Sequence, residues 1–145
     1  MGLDAVVYRN ARSLGYDLTR QNFHIDGTTG EVFPEDDLEG VRHPHSTFQA
    51  IHKRLGNIAT VAHLRNEVAS ALGSSTGLLQ TRILYNGEHC GDVIGLELLD
   101  EISKEVALLT EKNEGLRSPY LTTFLDDVKD LIRTARAENN PIVFT

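Results

Sequence analysis

The chain has 145 residues with 40% apolar and 24% charged side chains, ordinary values for a globular protein, and its length suits one domain with one core over residues 1–145. Its formal net charge of −7 disfavours nucleic acid, whose phosphates need a basic surface. No apolar run approaches the ~18 residues of a membrane span, and the single cysteine, Cys90, leaves no partner for an internal disulfide.

In chain order, Leu3 to Tyr8 reads as a short strand, with Val6 and Val7 favouring extended backbone. Residues 9 to 21 have no clean period and are expected to form a loop with at most a helical turn. Asn22 to Asp26 and Glu31 to Phe33 read as two strands of a hairpin, joined across a Gly-containing loop. Residues 34 to 45, opening Pro34-Glu35-Asp36-Asp37, are expected to be an exposed acidic loop. Ser46 and Gln49 fit a capping box, and Phe48, Ile51 and Leu55 follow at helical spacing, with Gly56 as a left-handed stop. Asn57 is placed to cap a second helix that runs to about Leu72 and stops at Gly73. Its stripe is Ile58, Val61, Leu64, Val68 and Leu72.

After a Ser-Ser-Thr-Gly turn, Leu78 to Asn86 reads as a strand with Leu79, Ile83 and Tyr85 on one face. Leu99, Ile102, Val106 and Leu109 mark a third helix. Ser118-Pro119 starts a fourth, with a cap followed by proline at the first helical position. Its stripe runs from Leu121 through Phe124, Leu125, Val128, Leu131 and Ile132 to Ala135. Pro141 to Thr145 is apolar and extended, and is expected to dock as a strand beside Leu3–Tyr8. The expected architecture is α+β, about four helices packed on a small sheet.

The chemistry-bearing residues concentrate in Leu84 to Asp92, which holds the lone cysteine, one of the six histidines, two glycines and two acids. A thiol nucleophile at Cys90 needs a base, and neighbouring residues of an extended segment point opposite ways, so His89 is a poor one and His52 or His63 would have to serve. The plainer reading of Cys90 is a small buried filler. His43, His45, His52, His89, Cys90 and Asp92 supply metal donor atoms, but without the paired spacing of zinc motifs, so no metal is expected. Phosphate-loop, dinucleotide-loop, nucleophile-elbow and zincin strings are absent from the sequence, and no cofactor is expected. Arg65 falls near the centre of its helix's apolar stripe. An unmatched buried charge is costly, so an ion pair is expected, with Asp92 or Asp4 as partner.

Residues 88 to 130 hold eleven acids and four bases, a net of −7, while the rest of the chain holds ten of each. Glu88, Glu97, Glu101, Glu105, Asp126, Asp127 and Asp130 are expected on outer faces. There they form either a solvated surface or a docking face for a basic protein.

Met1-Gly2-Leu3-Asp4-Ala5-Val6-Val7-Tyr8, the His52–Ile58 stretch running on to Leu64-Arg65, Ile83 to Asp92 with its Tyr-Asn-Gly-x-His-Cys-Gly-Asp string, and Pro141 to Phe144 together resemble a group of small bacterial proteins of unassigned function that begin Met-Gly-Leu-Asp. The resemblance spans nearly the whole chain and implies a bacterial, cytoplasmic protein. It brings no activity with it. Where similar proteins carry further cysteines after the first strand, this chain has Arg9-Asn10-Ala11, which weakens a metal reading there.

The expected function is a non-enzymatic partner-binding protein, most specifically an immunity protein that inhibits a toxic enzyme, such as a cognate toxin, through its acidic surface. The alternative is a small hydrolase or transferase using the Glu88–Asp92 loop, with His89, Cys90, Asp92 and His52 or Arg65 as its site.

Overall fold

The computed structural model describes residues 2–15, 23–34 and 48–145. Within them the chain forms β1 (Gly2–Tyr8), β2 (Phe23–Ile25), β3 (Val32–Pro34), β4 (Gln49–Asn57) and helix α1 (Ile58–Leu72). A single π-helical turn over Leu79–Ile83 follows, then β5 (Val93–Ile94), a 3-10 turn (Leu96–Leu98), α2 (Leu99–Leu116), α3 (Pro119–Glu138) and β6 (Ile142–Phe144). The main sheet is antiparallel throughout, in the order β4-β1-β6-β5, so the first and last strands are neighbours, with Ala5 opposite Phe144. β2 and β3 make a separate hairpin. The fold is α+β.

One face of the sheet carries Leu3, Ala5, Val7, Leu55, Ile94, Ile142 and Phe144 into the core shared with the helices. The opposite face carries a smaller cluster of Val6, Tyr8, Phe48 and Val143. Strand pleating explains the division, since alternate side chains of β1 point to opposite sides. The helices present the stripes read from the sequence. Val61, Leu64 and Val68 of α1, Leu99, Ile102, Val106 and Leu109 of α2, and Leu121 to Ala135 of α3 are all buried.

The helix ends follow local chemistry. Asn57 Oδ1 accepts from the Thr60 N–H at 2.8 Å, and Ser118 Oγ from the Leu121 N–H at 3.2 Å, with Pro119 at the first turn. Gly73 ends α1 at φ 66°, a conformation that a Cβ disfavours. Ile58, expected in the α1 stripe, is 52% exposed, because the first helical residue lies at the rim of the core.

Two predicted elements differ. The expected helix from Phe48 to Leu55 is instead strand β4 from Gln49; Ser46 and Thr47 of its capping box lie outside the described residues. Ile51, Lys53 and Leu55 share the inward face. Lys53 breaks the apolar alternation there, because its ammonium reaches Asp127 at 3.3 Å and Asp130 at 3.2 Å on α3. With a lysine on the buried side, the period of two was hidden and 48, 51, 55 imitated a helix. Gly56 is therefore part of a strand and not a helix stop.

The expected strand from Leu78 to Asn86 is instead the π-helical turn, closed by the Leu84 N–H donating to Leu79 O at 2.8 Å. Leu79 and Ile83 are buried under either period. The neighbours distinguish the two, since Thr81 and Tyr85 are exposed and Gln80 and Leu84 are buried. Glu105 of α2 takes the Leu78 and Leu79 N–H groups at 2.7 and 3.3 Å and so starts the turn from outside. The predicted loop at 34 to 45 lies outside the described residues beyond Pro34.

Candidate functional site

The segment from Ile83 to Asp92 folds back on itself around His89. The imidazole is buried, stacked on Tyr85 with ring centroids 4.6 Å apart and tilted against Phe144 of β6 at 4.3 Å. Its Nε2 lies 2.8 Å from the Ile83 carbonyl oxygen, which makes Nε2 the protonated nitrogen. Nδ1 lies 3.3 Å from Asp92 Oδ2 without hydrogen-bond alignment. The Tyr85 hydroxyl donates to the same Asp92 oxygen. The Asp92 N–H donates to His89 O at 3.2 Å, and the Gly91 N–H and Asp92 O bond to Phe144, so the loop is tied to the sheet. Gly87 sits against α1, where a Cβ would lie 2.8 Å from Ile58 Cα.

Arg65 is half-buried at the other side of this loop. Its Nη1 donates to the Tyr85 carbonyl at 2.9 Å and, more weakly, to that of Leu84 at 3.4 Å. Gln80 of the π-helical turn donates through Nε2 to Arg65 O at 2.7 Å, while its buried Oε1 has no donor. The expected ion pair of Arg65 with Asp92 is not formed, and neither is one with Asp4. The guanidinium is satisfied by carbonyls, Asp92 is taken by Tyr85, and Asp4 is taken by His52 and Arg54 at 3.0 Å each.

The residues of the expected nucleophilic set are only partly brought together. His89 and Asp92 are neighbours, and both ring nitrogens of His89 face the protein's own groups. Cys90 is exposed, contrary to the buried-filler reading, because the turn that aims His89 inward turns the next residue out. His52 stands on β4, two strands from β6, bonded to Asp4. His63, on α1, pairs with Glu67 at 3.1 Å and packs edge-on against Tyr120. His43 and His45 lie outside the described residues, and among the described ones no group of three or more His, Cys, Asp or Glu side chains could hold a metal ion.

One grouping escaped the sequence reading. Burial pushes the Tyr8 phenol above its ordinary pKa, and Glu31, Asp26 and Cys90 push it further, which gathers β1, the hairpin and the loop after Gly87 in one neighbourhood. Asp26 is held below the usual carboxylate range by the N–H groups of Thr29 and Thr28, each at 2.8 Å from Oδ1. No motif joins residues so far apart in the chain.

The acidic segment divides into two kinds of residue. Glu105 is half-buried and holds the π-helical turn, and Asp127 and Asp130 are half-buried and hold Lys53. These three serve the fold and not an open face. The Lys53 ammonium bonded to Asp130 holds that carboxyl below its usual range, and the same bond raises Lys53. Glu88, Glu97, Glu101, Glu111, Glu114 and Asp126 are exposed, and none of their carboxylates has an ion pair among the described residues. Glu101 and Leu108 fall on one side of α2, with Leu108 45% exposed, and Glu97 lies in the 3-10 turn just before that helix. Among the described residues no helix is long and apolar enough to cross a membrane. No family model, curated protein or solved structure matches the chain.

Proposed function

We propose that the protein is a partner-binding protein of the immunity type, which inhibits a basic enzyme by docking on the exposed acids of the loop after Gly87 and of the α2–α3 pair. The observation that carries this reading is the set of unpaired carboxylates at Glu88, Glu97, Glu101, Glu111, Glu114 and Asp126. Carboxylates left without cations on a protein of net charge −7 repel one another and gain from an approaching positive surface. Leu108, exposed beside Glu101, Lys104 and Glu111, supplies an apolar centre within a charged rim, the usual anatomy of an interface.

Carbodiimide coupling joins a carboxylate to an amine in direct contact. With the tagged protein expressed in its native host, the expected products link Glu97, Glu101, Glu111, Glu114 or Asp126 to lysines of one basic protein, identified by mass spectrometry. Links confined to carboxylates outside residues 88–126, or no linked protein at low salt, would remove the support for the docking face.

A further inference from the structure

We infer that His89 and Asp92 form a proton-operated latch on the loop from Ile83 to Asp92, open when the imidazole is neutral and closed when it takes a second proton. Among the described residues His89 is the one buried histidine, with its side chain 4% exposed. Nε2–H donates to the Ile83 carbonyl, so Nδ1 carries the lone pair of the neutral ring. That atom is closed off from water and has no donor. What faces it, at 3.3 Å, is Asp92 Oδ2, a second acceptor. A lone pair set against a carboxylate without water between them is repelled. A proton on Nδ1 turns the same contact into a charge-assisted hydrogen bond. The proton therefore sets the sign of the contact, independently of what burial costs the charged ring.

The surroundings leave that choice to the proton. The π-helical turn offers the ring the Ile83 carbonyl and β6 offers Phe144, neither of which titrates. The loop itself offers Tyr85, stacked on the ring, whose hydroxyl donates to Asp92. From α1, the Arg65 guanidinium is spent on the Leu84 and Tyr85 carbonyls. From β1, Tyr8 interacts with Cys90. Glu88 and Cys90 flank His89 in the chain and are exposed. Asp92 is half exposed and has two carboxylate oxygens, so it can turn one onto Nδ1–H and keep Tyr85 on the other. Closing the contact joins the two ends of the segment, Ile83 through Nε2 and Asp92 through Nδ1, and Asp92 is already bonded to Phe144. The closed latch adds stability in acid and loses it as pH rises and the second proton leaves. Imidazole is the side chain that ordinarily changes charge between about pH 5 and 8.

The test compares the wild type with Asp92→Asn, a change at a half-exposed position. An asparagine amide can donate to neutral Nδ1 but offers an imidazolium only a neutral acceptor. Melts at about pH 8 and about pH 5.5 bracket the ordinary imidazole range and lie above the ordinary carboxylate range. The difference in Tm, wild type minus variant, is expected to rise by about 3 °C from the higher pH to the lower. His52 with Asp4 and His63 with Glu67 are common to both proteins and drop out of that difference. In the wild type, ring nitrogen chemical shifts are expected to show Nε2 protonated and Nδ1 bare at about pH 8, and both protonated at about pH 5.5. Amide protection at Gly91 and Asp92 should rise over the same range. The ring measurement needs no variant, so it decides the case even if Asp92→Asn fails to fold. A Tm difference that does not change with pH, Nδ1 protonated with Nε2 bare at about pH 8, or a ring still neutral at about pH 5.5 overturns the inference.

Discussion

Arg65 is held by carbonyl oxygens and not by a carboxylate, and this changes what its removal costs. Arg65→Ala gives up one good hydrogen bond to Tyr85 O and one weak one to Leu84 O, without stranding a buried charge. The expected loss is about 1 kcal/mol in denaturant melts, where an ion pair broken in the interior would cost about 3–5. Arg65 and Asp92 should behave independently, so a double-mutant cycle is expected to be additive within about 0.5 kcal/mol. A larger coupling would mean that the two side chains do meet. Cys90 is exposed, so a thiol reagent should label it in the native state at nearly the rate of the unfolded chain; slow native labelling would place it under cover. The half-buried position of Arg65 was legible from helix phase, because its stem lies between Val61 and Val68. Its partners were not, because backbone carbonyls twenty residues away leave no mark in a sequence.

Elements held by a side chain from elsewhere are the ones that local periodicity misread. The π-helical turn at Leu79–Ile83 depends on Glu105 of α2, which accepts from two N–H groups that the turn itself cannot satisfy. Glu105→Ala is expected to destabilise the protein by about 1–2 kcal/mol, with Glu105→Gln recovering part of it, as for other caps. Amide hydrogen exchange at Leu78 and Leu79 should rise in step, and unchanged exchange there would separate Glu105 from the turn. Strand β4 is held along its length by β1, and its Lys53 adds a tie to α3.

Asp130 sits below its ordinary carboxylate value because Lys53 bonds its charged form, so its contribution is full above 3.8 and is lost as pH falls through the lowered value. Lys53 sits above 10.5, so its contribution is full below that and is lost as pH rises through the raised value. Lys53→Met should therefore lower Tm by a constant amount between those limits, and by progressively less below pH 3.8. An equal penalty in strong acid would assign the effect to packing. Helices α1 and α3 were legible from a cap joined to a stripe, Asn57 with Gly73 as a stop and Ser118-Pro119 with a stripe unbroken to Ala135, whereas α2, which has no side-chain cap, was legible from its stripe alone. The segment of β4 carried the same kinds of signal, Ser46 with Gln49, the spacing of Phe48, Ile51 and Leu55, and Gly56, so local signals alone did not separate helix from strand there.

For the whole molecule, the pairing of β1 with β6 brings both ends of the described chain into the sheet, and this followed from the apolar character of Ile142, Val143 and Phe144. The asymmetry of charge was equally legible as a count. Its distribution over the surface was not, because the count treats Glu105, Asp127 and Asp130, which hold other elements, like Glu97 and Glu101, which hold nothing. The central claim is that these free carboxylates recruit a basic partner. It is tested most directly by capturing partners from the native host with the wild-type protein and with Glu88, Glu97 and Glu101 all changed to Lys, at equal loading and low salt. A basic protein that is retained by the wild type, released as salt rises and lost from the reversed form is the predicted result. Recovery of the same proteins in the same amounts by both forms would contradict it.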